Sequence, residues 1–292
     1  MILIPQRLFN SSQVTTLLRD GNVCILKKEL NEAIIKREGY ISNHVIVILL
    51  DGKQQLKNYD EEVINVVAQE VLFIPRGMYY VSDFLPKNGT FKSLLFYFDD
   101  TIIQEFLATS KVTEIDKKET PSHLKFGIIS PIQFYAKSLI NIYSINRLRN
   151  NNFINLKILE LLHLLNGLVP EQQFANFLFR LTLPQKRNIK TFMDNNFLKP
   201  LKIEDYAYLT GRSLSTFRRD FIAYYGITPK QWLTDRRLHR AIEILEKKEV
   251  SVGDLAYAIG YENVSYFIKA FKNKVGQSPK QYMLDRHRNH LN

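Results

Sequence analysis

The sequence predicts an α+β chain of two parts: an N-terminal β-barrel with a helical hairpin, and a C-terminal all-α domain built on two helix-turn-helix units. Three observations carry this expectation. Runs of β-branched and aromatic residues, separated by turn residues, dominate the N-terminal part. After them the apolar period lengthens from 2 to 3.6. A unit of about 50 residues then occurs twice before the C-terminus. The expected divisions are 1–110 for the β domain, 111–183 for a connection with a helical packing or dimerisation segment, and 184–292 for the duplicated helical domain.

The β runs are Val23–Leu30, Ile34–Tyr40, His44–Leu50, Val63–Ala68, Val71–Ile74 and Phe91–Phe98. Between them stand Asp51-Gly52, Pro75-Arg76-Gly77 and Pro86-Lys87-Asn88-Gly89, where Gly supplies positive φ and Pro fixes it. Asp99 or Asp100 is placed to cap a helix from Thr101 to about Ala108. Lys111–Ser122 is polar, charged and interrupted by Pro121, which predicts a flexible connection. Helical spacing follows in Phe134, Leu139, Ile142 and Ile145, and again in Ile154, Ile158, Leu161, Leu162 and Leu165. These two helices are expected to pair as a hairpin, the second stopping near Gly167 and Pro170, with a third helix from Glu171 to about Leu181. Such a pair either packs its apolar stripe on the β domain or meets a second copy in a homodimer.

Composition narrows the class. A hydrophobic share of 45% and a charged share of 24% belong to an ordinary globular protein, which argues against wholesale disorder. The longest apolar run, Val45–Leu50, is far shorter than the ~20 residues that span a bilayer. With no basic region leading into a long apolar stretch at the N-terminus, a cytoplasmic protein is expected. One cysteine, Cys24, excludes an internal disulfide and a multi-cysteine zinc site, and is expected to be a buried apolar side chain. The net charge of +11 is unevenly shared: from Pro184 onward 20 Lys and Arg face 11 Asp and Glu, leaving only +2 for the longer N-terminal part. A basic domain suits a polyanion, because each neutralised phosphate releases condensed counterions.

The repeat supplies the sharper signal. The first copy, IEDYAYLTGRSLSTFRRDFIAYYGITPKQWLTDR, starts at Ile203, and the second, VGDLAYAIGYENVSYFIKAFKNKVGQSPKQYMLDR, at Val252. Ala207, Tyr208 and Gly211 pair with Ala256, Tyr257 and Gly260; after a one-residue shift Phe217, Phe221, Gly226 and Pro229 pair with Phe267, Phe271, Gly276 and Pro279. In each copy a short helix, Ile203 to about Leu209 or Val252 to about Ile259, has a small Ala where a crossing helix approaches, and it ends at a Gly able to turn left-handed. Ser213 and Asn263 then cap a second helix that Gly226 or Gly276 stops. Phe217 with Phe221, and Phe267 with Phe271, stand four apart and define the buried face. The outward face therefore offers Ser215, Arg218 and Arg219 in the first copy, and Ser265, Tyr266, Ile268 and Lys269 in the second. Arg bonds guanine O6 and N7 in bidentate fashion, Ser reaches base edges or phosphate, and Ile touches a thymine methyl. A helix from Pro229 to about Glu246 joins the copies, with Leu233, Leu238, Ala241, Ile242 and Leu245 on its apolar stripe. It spans roughly 25 Å, enough to hold two recognition helices about one DNA turn, ~34 Å, apart on a duplex that bends to meet both.

The run GYENVSYFIKAFK at Gly260–Lys272, followed by Gly276, Ser278 and Pro279, closely resembles the signature of AraC/XylS-type transcription regulators. The first copy and the joining helix match too, so the resemblance covers about Leu183 to Arg288. What it implies is a seven-helix DNA-binding domain that usually activates transcription beside a promoter and touches RNA polymerase. It also implies base-reading roles for Ser215, Arg218, Arg219, Ser265, Tyr266, Ile268 and Lys269. Arg212, Ser213, Thr216, Asn263 and Val264, at the starts of the two recognition helices, complete the expected DNA surface. Two positions depart from the pattern: Tyr261 stands where Phe is commoner, and Val264 where a small polar residue is frequent.

The segment AQEVLFIPRGMYYVSDF at Ala68–Phe84 resembles, less specifically, the strand-turn-strand of cupin-like sensor domains in the same family. A metal-using cupin needs a His-x-His pair, a further His and a carboxylate. Here His44 is alone in its strand, and Tyr79 and Tyr80 stand about where a ligand His would fall. Alkyl-transfer DNA repair, which occurs with the same repeat, needs reactive cysteines in electropositive surroundings; Cys24 is isolated in a predicted strand. No enzymatic activity, metal or cofactor is expected. A small ligand in the mouth of the β domain, among Tyr, Phe and Arg76, is one expected effector. The other is a regulatory protein, since KILELLHLL at 157–165 looks like the helix of family members regulated that way. The expected partners are double-stranded DNA, RNA polymerase, such an effector and a second copy, with no membrane.

Overall fold

Alternating side chains along the N-terminal runs build two sheets. The strands are β1 (Ile2–Ile4), β2 (Val14–Asp20), β3 (Val23–Leu30), β4 (Ile34–Ile41), β5 (His44–Asp51), β6 (Lys53–Asn58), β7 (Val63–Val67), β8 (Glu70–Ile74), β9 (Gly77–Phe84), β10 (Phe91–Phe98) and β11 (Leu124–Gly127). One sheet has the order β1-β4-β9-β6-β7 and the other β11-β8-β5-β10-β3-β2. All pairs are antiparallel except β1 with β4. The cupin-like β domain thus consists of two sheets that keep their edges, in place of one closed barrel. The computed structural model describes residues 2–58, 61–109, 121–144, 151–168, 173–182 and 187–290. Most of the expected connection at Lys111–Ser122, together with Ile145 and Pro170, lies outside them. By contacts the chain divides into two units, Met1–Leu183 and Pro184–Asn292.

The first unit has three layers. Cys24, Leu26, Val45, Val47, Leu49 and Leu95 face the five-stranded sheet, meeting Ile41, Leu56, Ile64 and Val66. The alternate residues Ile25, Ile46, Ile48, Phe73, Leu94 and Phe96 face helices α1 (Asp100–Thr109), α2 (Ser130–Tyr143), α3 (Ile154–Asn166) and α4 (Gln173–Leu181). With both faces covered, β5 needs apolar residues at every position, which explains the run Val45–Leu50. Burial also pushes the Cys24 thiol far up, so it packs as an apolar group.

Asp99 caps α1, its Oδ1 accepting from the backbone N–H of Thr101 at 3.1 Å. In α3 the expected stripe of Ile154, Ile158, Leu161, Leu162 and Leu165 is buried. In α2 the expected stripe differs from the observed one. Ile132, Tyr135, Ala136, Leu139 and Tyr143 face inward, while Phe134 and Ile142 are exposed at 71% and 40%. Two stripes share one 3.6 period, and the one holding Tyr and Ala fits against β2 and α3.

At the junction of β5, the β8–β9 turn and α1, His44 is fully buried. The backbone N–H of Arg76 donates to its Nδ1 at 3.3 Å, so the ring proton sits on Nε2, 2.9 Å from Asp100 Oδ1. Arg76 itself pairs with Asp100 at 3.0 Å, so its side chain is committed to this junction rather than to a ligand mouth. Burial holds the His44 pKa below its ordinary 6.5, against the opposing pull of Asp100 and Asp99 and with a smaller push from Arg76. The unfolded chain therefore takes up this proton first as pH falls, and stability is lost on acidification through 6.5 down to the depressed folded value. Urea unfolding at a series of pH values is expected to show that slope in the wild type, and His44→Gln to flatten it.

The second unit holds, among the described residues, the seven helices α5 (Ile189–Asn196), α6 (Ile203–Leu209), α7 (Leu214–Tyr225), α8 (Pro229–Lys247), α9 (Val252–Ala258), α10 (Val264–Val275) and α11 (Pro279–His290). Helix α8 starts in a capping box: Thr228 Oγ1 accepts from Gln231 N–H at 3.3 Å, and Gln231 Oε1 from Thr228 N–H at 3.1 Å. Its N-terminal half carries Trp232 against Phe197, Phe221 and Tyr225. Its C-terminal half buries Leu238, Ala241 and Leu245 against Leu255, Ile259, Phe267 and Phe271. One continuous helix of 19 residues is thus shared by two small cores.

Candidate nucleic-acid interface

Each repeat folds as a short helix, a glycine turn and a longer helix. In the turns Gly211 and Gly260 adopt φ of 67° and 88°, and Gly226 and Gly276, at 73° and 89°, end α7 and α10. Both recognition helices are capped as the sequence predicts. Ser213 Oγ accepts from the backbone N–H of Thr216 at 3.2 Å, and Asn263 Oδ1 from that of Tyr266 at 2.9 Å. Phe217, Phe221, Phe267 and Phe271 are fully buried, and their rings pack within each pair at 5.5 and 5.7 Å between centroids.

Burying those rings turns the other faces outward. On α7, Ser215, Arg218 and Arg219 are exposed and Thr216 is half-buried. On α10, Ser265, Tyr266 and Lys269 are exposed, while Val264 and Ile268 lean partly on the core beneath. Arg218 and Lys269 form no ion pair with any described residue, so both cations face solvent uncompensated.

Arg212 is placed differently from the rest of the expected surface. Its guanidinium turns inward, donating to the backbone oxygens of Arg187 at 2.9 Å and Thr210 at 2.7 Å, and to Asp220 Oδ2 at 3.1 Å. Asp220 also accepts from Arg219 at 3.2 Å. The hydrogen bond from Arg212, helped by Arg219, holds the Asp220 carboxyl below its ordinary value, so it stays ionised and links the turn to α7. Sequence reasoning misses Asp220: it lies eight residues beyond Arg212, across the turn, where no helical spacing marks the pair.

Two outward helical faces, each fixed by a turn and joined through one helix, define a DNA-binding transcription regulator of the helix-turn-helix kind. Residues 206–285 match the family described as helix-turn-helix domain, and residues 44–177 that described as ExsA N-terminal regulatory domain. Over 253 residues the chain is 30% identical to the thermoregulatory protein LcrF of Yersinia pestis, covering 82% of this chain and 88% of that one. It is 29% identical to the virulence regulon transcriptional activator VirF of Yersinia enterocolitica, with the same coverage. With the HTH-type transcriptional regulator ExsA of Pseudomonas aeruginosa it shares 24% identity over 241 residues, covering 81% and 84% of the two chains. The chain belongs to the AraC-type transcription regulators, with an N-terminal regulatory domain and a C-terminal DNA-binding domain.

Proposed function

We propose that one chain reads two successive major-groove segments of a promoter and activates transcription there by touching RNA polymerase. The observation that supports this is the pair of exposed faces on α7 and α10, oriented by matching caps, matching glycines and matching buried phenylalanines. Ser215, Arg218 and Arg219 read one segment, and Ser265, Tyr266 and Lys269 the other, with Ile268 presenting its exposed edge to a methyl group. Ser213, Thr216, Asn263 and Val264 line the approach at the helix starts, where backbone N–H groups favour phosphate. Arg212 acts through Asp220 as a positioning residue. The name of the VirF relative supports the activating sign.

The N-terminal domain acts as the switch, taking a small ligand or a regulatory protein, and can do so only by binding two states of the chain unequally. The exposed side chains on α2 and α3, Phe134, Ile142 and Leu156, suit contact with a second copy. The protein works in the cytoplasm and carries out no catalysis.

DNA selected from a random library by the full chain tests this function. The selected duplex is expected to lose binding steeply with salt, by about a thousandfold or more between 50 and 200 mM if six or more phosphates are neutralised. Replacing Arg218 by Ala is expected to cost about 1–3 kcal/mol and to relax preference at one or two base positions only. An unchanged binding motif would remove Arg218 from the base-reading set; failure to enrich any sequence would overturn the function.

A further inference from the structure

Arg237 stands where the two helix-turn-helix units meet on α8. Its Nε donates to the backbone oxygen of Phe197 at 2.7 Å and a terminal nitrogen donates to that of Lys199 at 2.6 Å, just beyond the end of α5. Helix ends of this polarity carry partial negative charge and unpaired carbonyls, which a bidentate cation satisfies. The same short segment is held from the first repeat, because the Tyr206 hydroxyl on α6 donates to the Asn196 oxygen at 2.9 Å and to the Lys199 oxygen at 3.3 Å.

The second repeat reaches the segment directly. A Cβ on Gly260, in the turn before α10, would lie 2.5 Å from the Leu198 oxygen and 3.1 Å from the Arg237 guanidinium carbon. The next residue, Tyr261, places its ring 5.8 Å from that carbon. The 197–199 segment is therefore gripped by α6 on one side and by α8 on another, with the turn of the second repeat seated against it. Packing on α8 ties each repeat to that helix separately; a point of contact off the helix axis, shared by both repeats, ties them to each other.

We propose that Arg237, seated on the 197–199 segment and against the Gly260 turn, fixes the angle between α7 and α10 and so sets the number of base pairs separating the two DNA segments that one chain recognises. It is a positioning residue with no contact to DNA. Arg237 can set a spacing only if both copies enter one duplex, as proposed above.

The test compares the full-length wild type with Arg237→Lys and Gly260→Ala in DNA selection from a random library, reading the spacing between the two enriched boxes. Affinity for duplexes with both boxes and with either box alone is measured alongside, normalised to active protein. The wild type is expected to enrich two boxes at one dominant spacing. Arg237→Lys keeps the charge but loses the fork, and is expected to retain box sequences and single-box affinity. It should accept neighbouring spacings, and its two-box advantage should fall by about tenfold, the worth of one charge-assisted hydrogen bond. Gly260→Ala, whose Cβ crowds both the Leu198 oxygen and the Arg237 guanidinium while keeping the Arg237 side chain itself, is expected to do the same. Wild-type spacing in both variants would overturn the inference, as would an equal fall in two-box and single-box affinity, the mark of simple destabilisation. Enrichment of only one box by the wild type would instead refute the two-segment function, and the spacing role with it.

Discussion

Replacing Phe267 by Ala is expected to cost about 3–5 kcal/mol, the usual range for deleting a buried ring. The side chain is fully buried, with Phe271 at 5.7 Å and Tyr261 at 5.5 Å between ring centroids, so little room exists for collapse around the void. A small domain has only about 5–15 kcal/mol of stability in total, and the core that Phe267 anchors joins the second repeat to the C-terminal half of α8 and holds no residue of α6 or α7. The loss should therefore appear locally. Amide hydrogen exchange is expected to show lost protection through α9 and α10, with α6 and α7 protected as before. DNA binding should fall to that of the first box. Equal deprotection of both repeats would show that the two cores unfold as one.

The second large effect is expected in the regulatory domain. Lys28 Nζ lies 2.5 Å from Asp83 Oδ2 between the two sheets, and Gln54 Nε2 donates to Asp83 Oδ1 at 2.6 Å, all buried. Asp83→Ala strands the Lys28 ammonium in an apolar core, costing about 3–5 kcal/mol. Replacing both residues, Lys28→Met with Asp83→Leu, removes the desolvation cost along with the attraction and is expected to recover most of that loss. Denaturant unfolding of the single and double variants separates these outcomes; a double variant as unstable as the single would mean that the ion pair itself stabilises the sandwich.

The C-terminal domain was largely legible because its signals are local. Caps at Ser213 and Asn263, left-handed glycines and phenylalanines four apart fix each helix from within a dozen residues, and the repeat states the pattern twice. The expected helix Ile203–Leu209 coincides with α6, and the expected outward face of α7 is exposed. The regulatory domain was harder. Its strands β1, β2, β6 and β11 were not anticipated, and β9 only through resemblance. KQQLKN in β6 has Leu56 as its one apolar residue, and its strand character comes from pairing with β7 and β9 on either side. Lys28 and Asp83 are 55 positions apart, and only the stacking of two sheets brings them together. Arg212, basic and at a helix start, reads as a DNA contact in the sequence; its guanidinium is also held by the backbone oxygens of Arg187 and Thr210 and by Asp220, which the sequence does not mark. Tertiary partners of that kind leave no periodic mark in a sequence.

A single chain carrying two grooves' worth of recognition surface is the central claim, and footprinting of the full-length protein on its selected duplex tests it most directly. Two protected major-groove segments are predicted on one face of the DNA, centred about one helical turn apart, with protection weakened at one or two positions of the first in Arg218→Ala and of the second in Lys269→Ala. A single protected segment, or two segments on opposite faces, would contradict it.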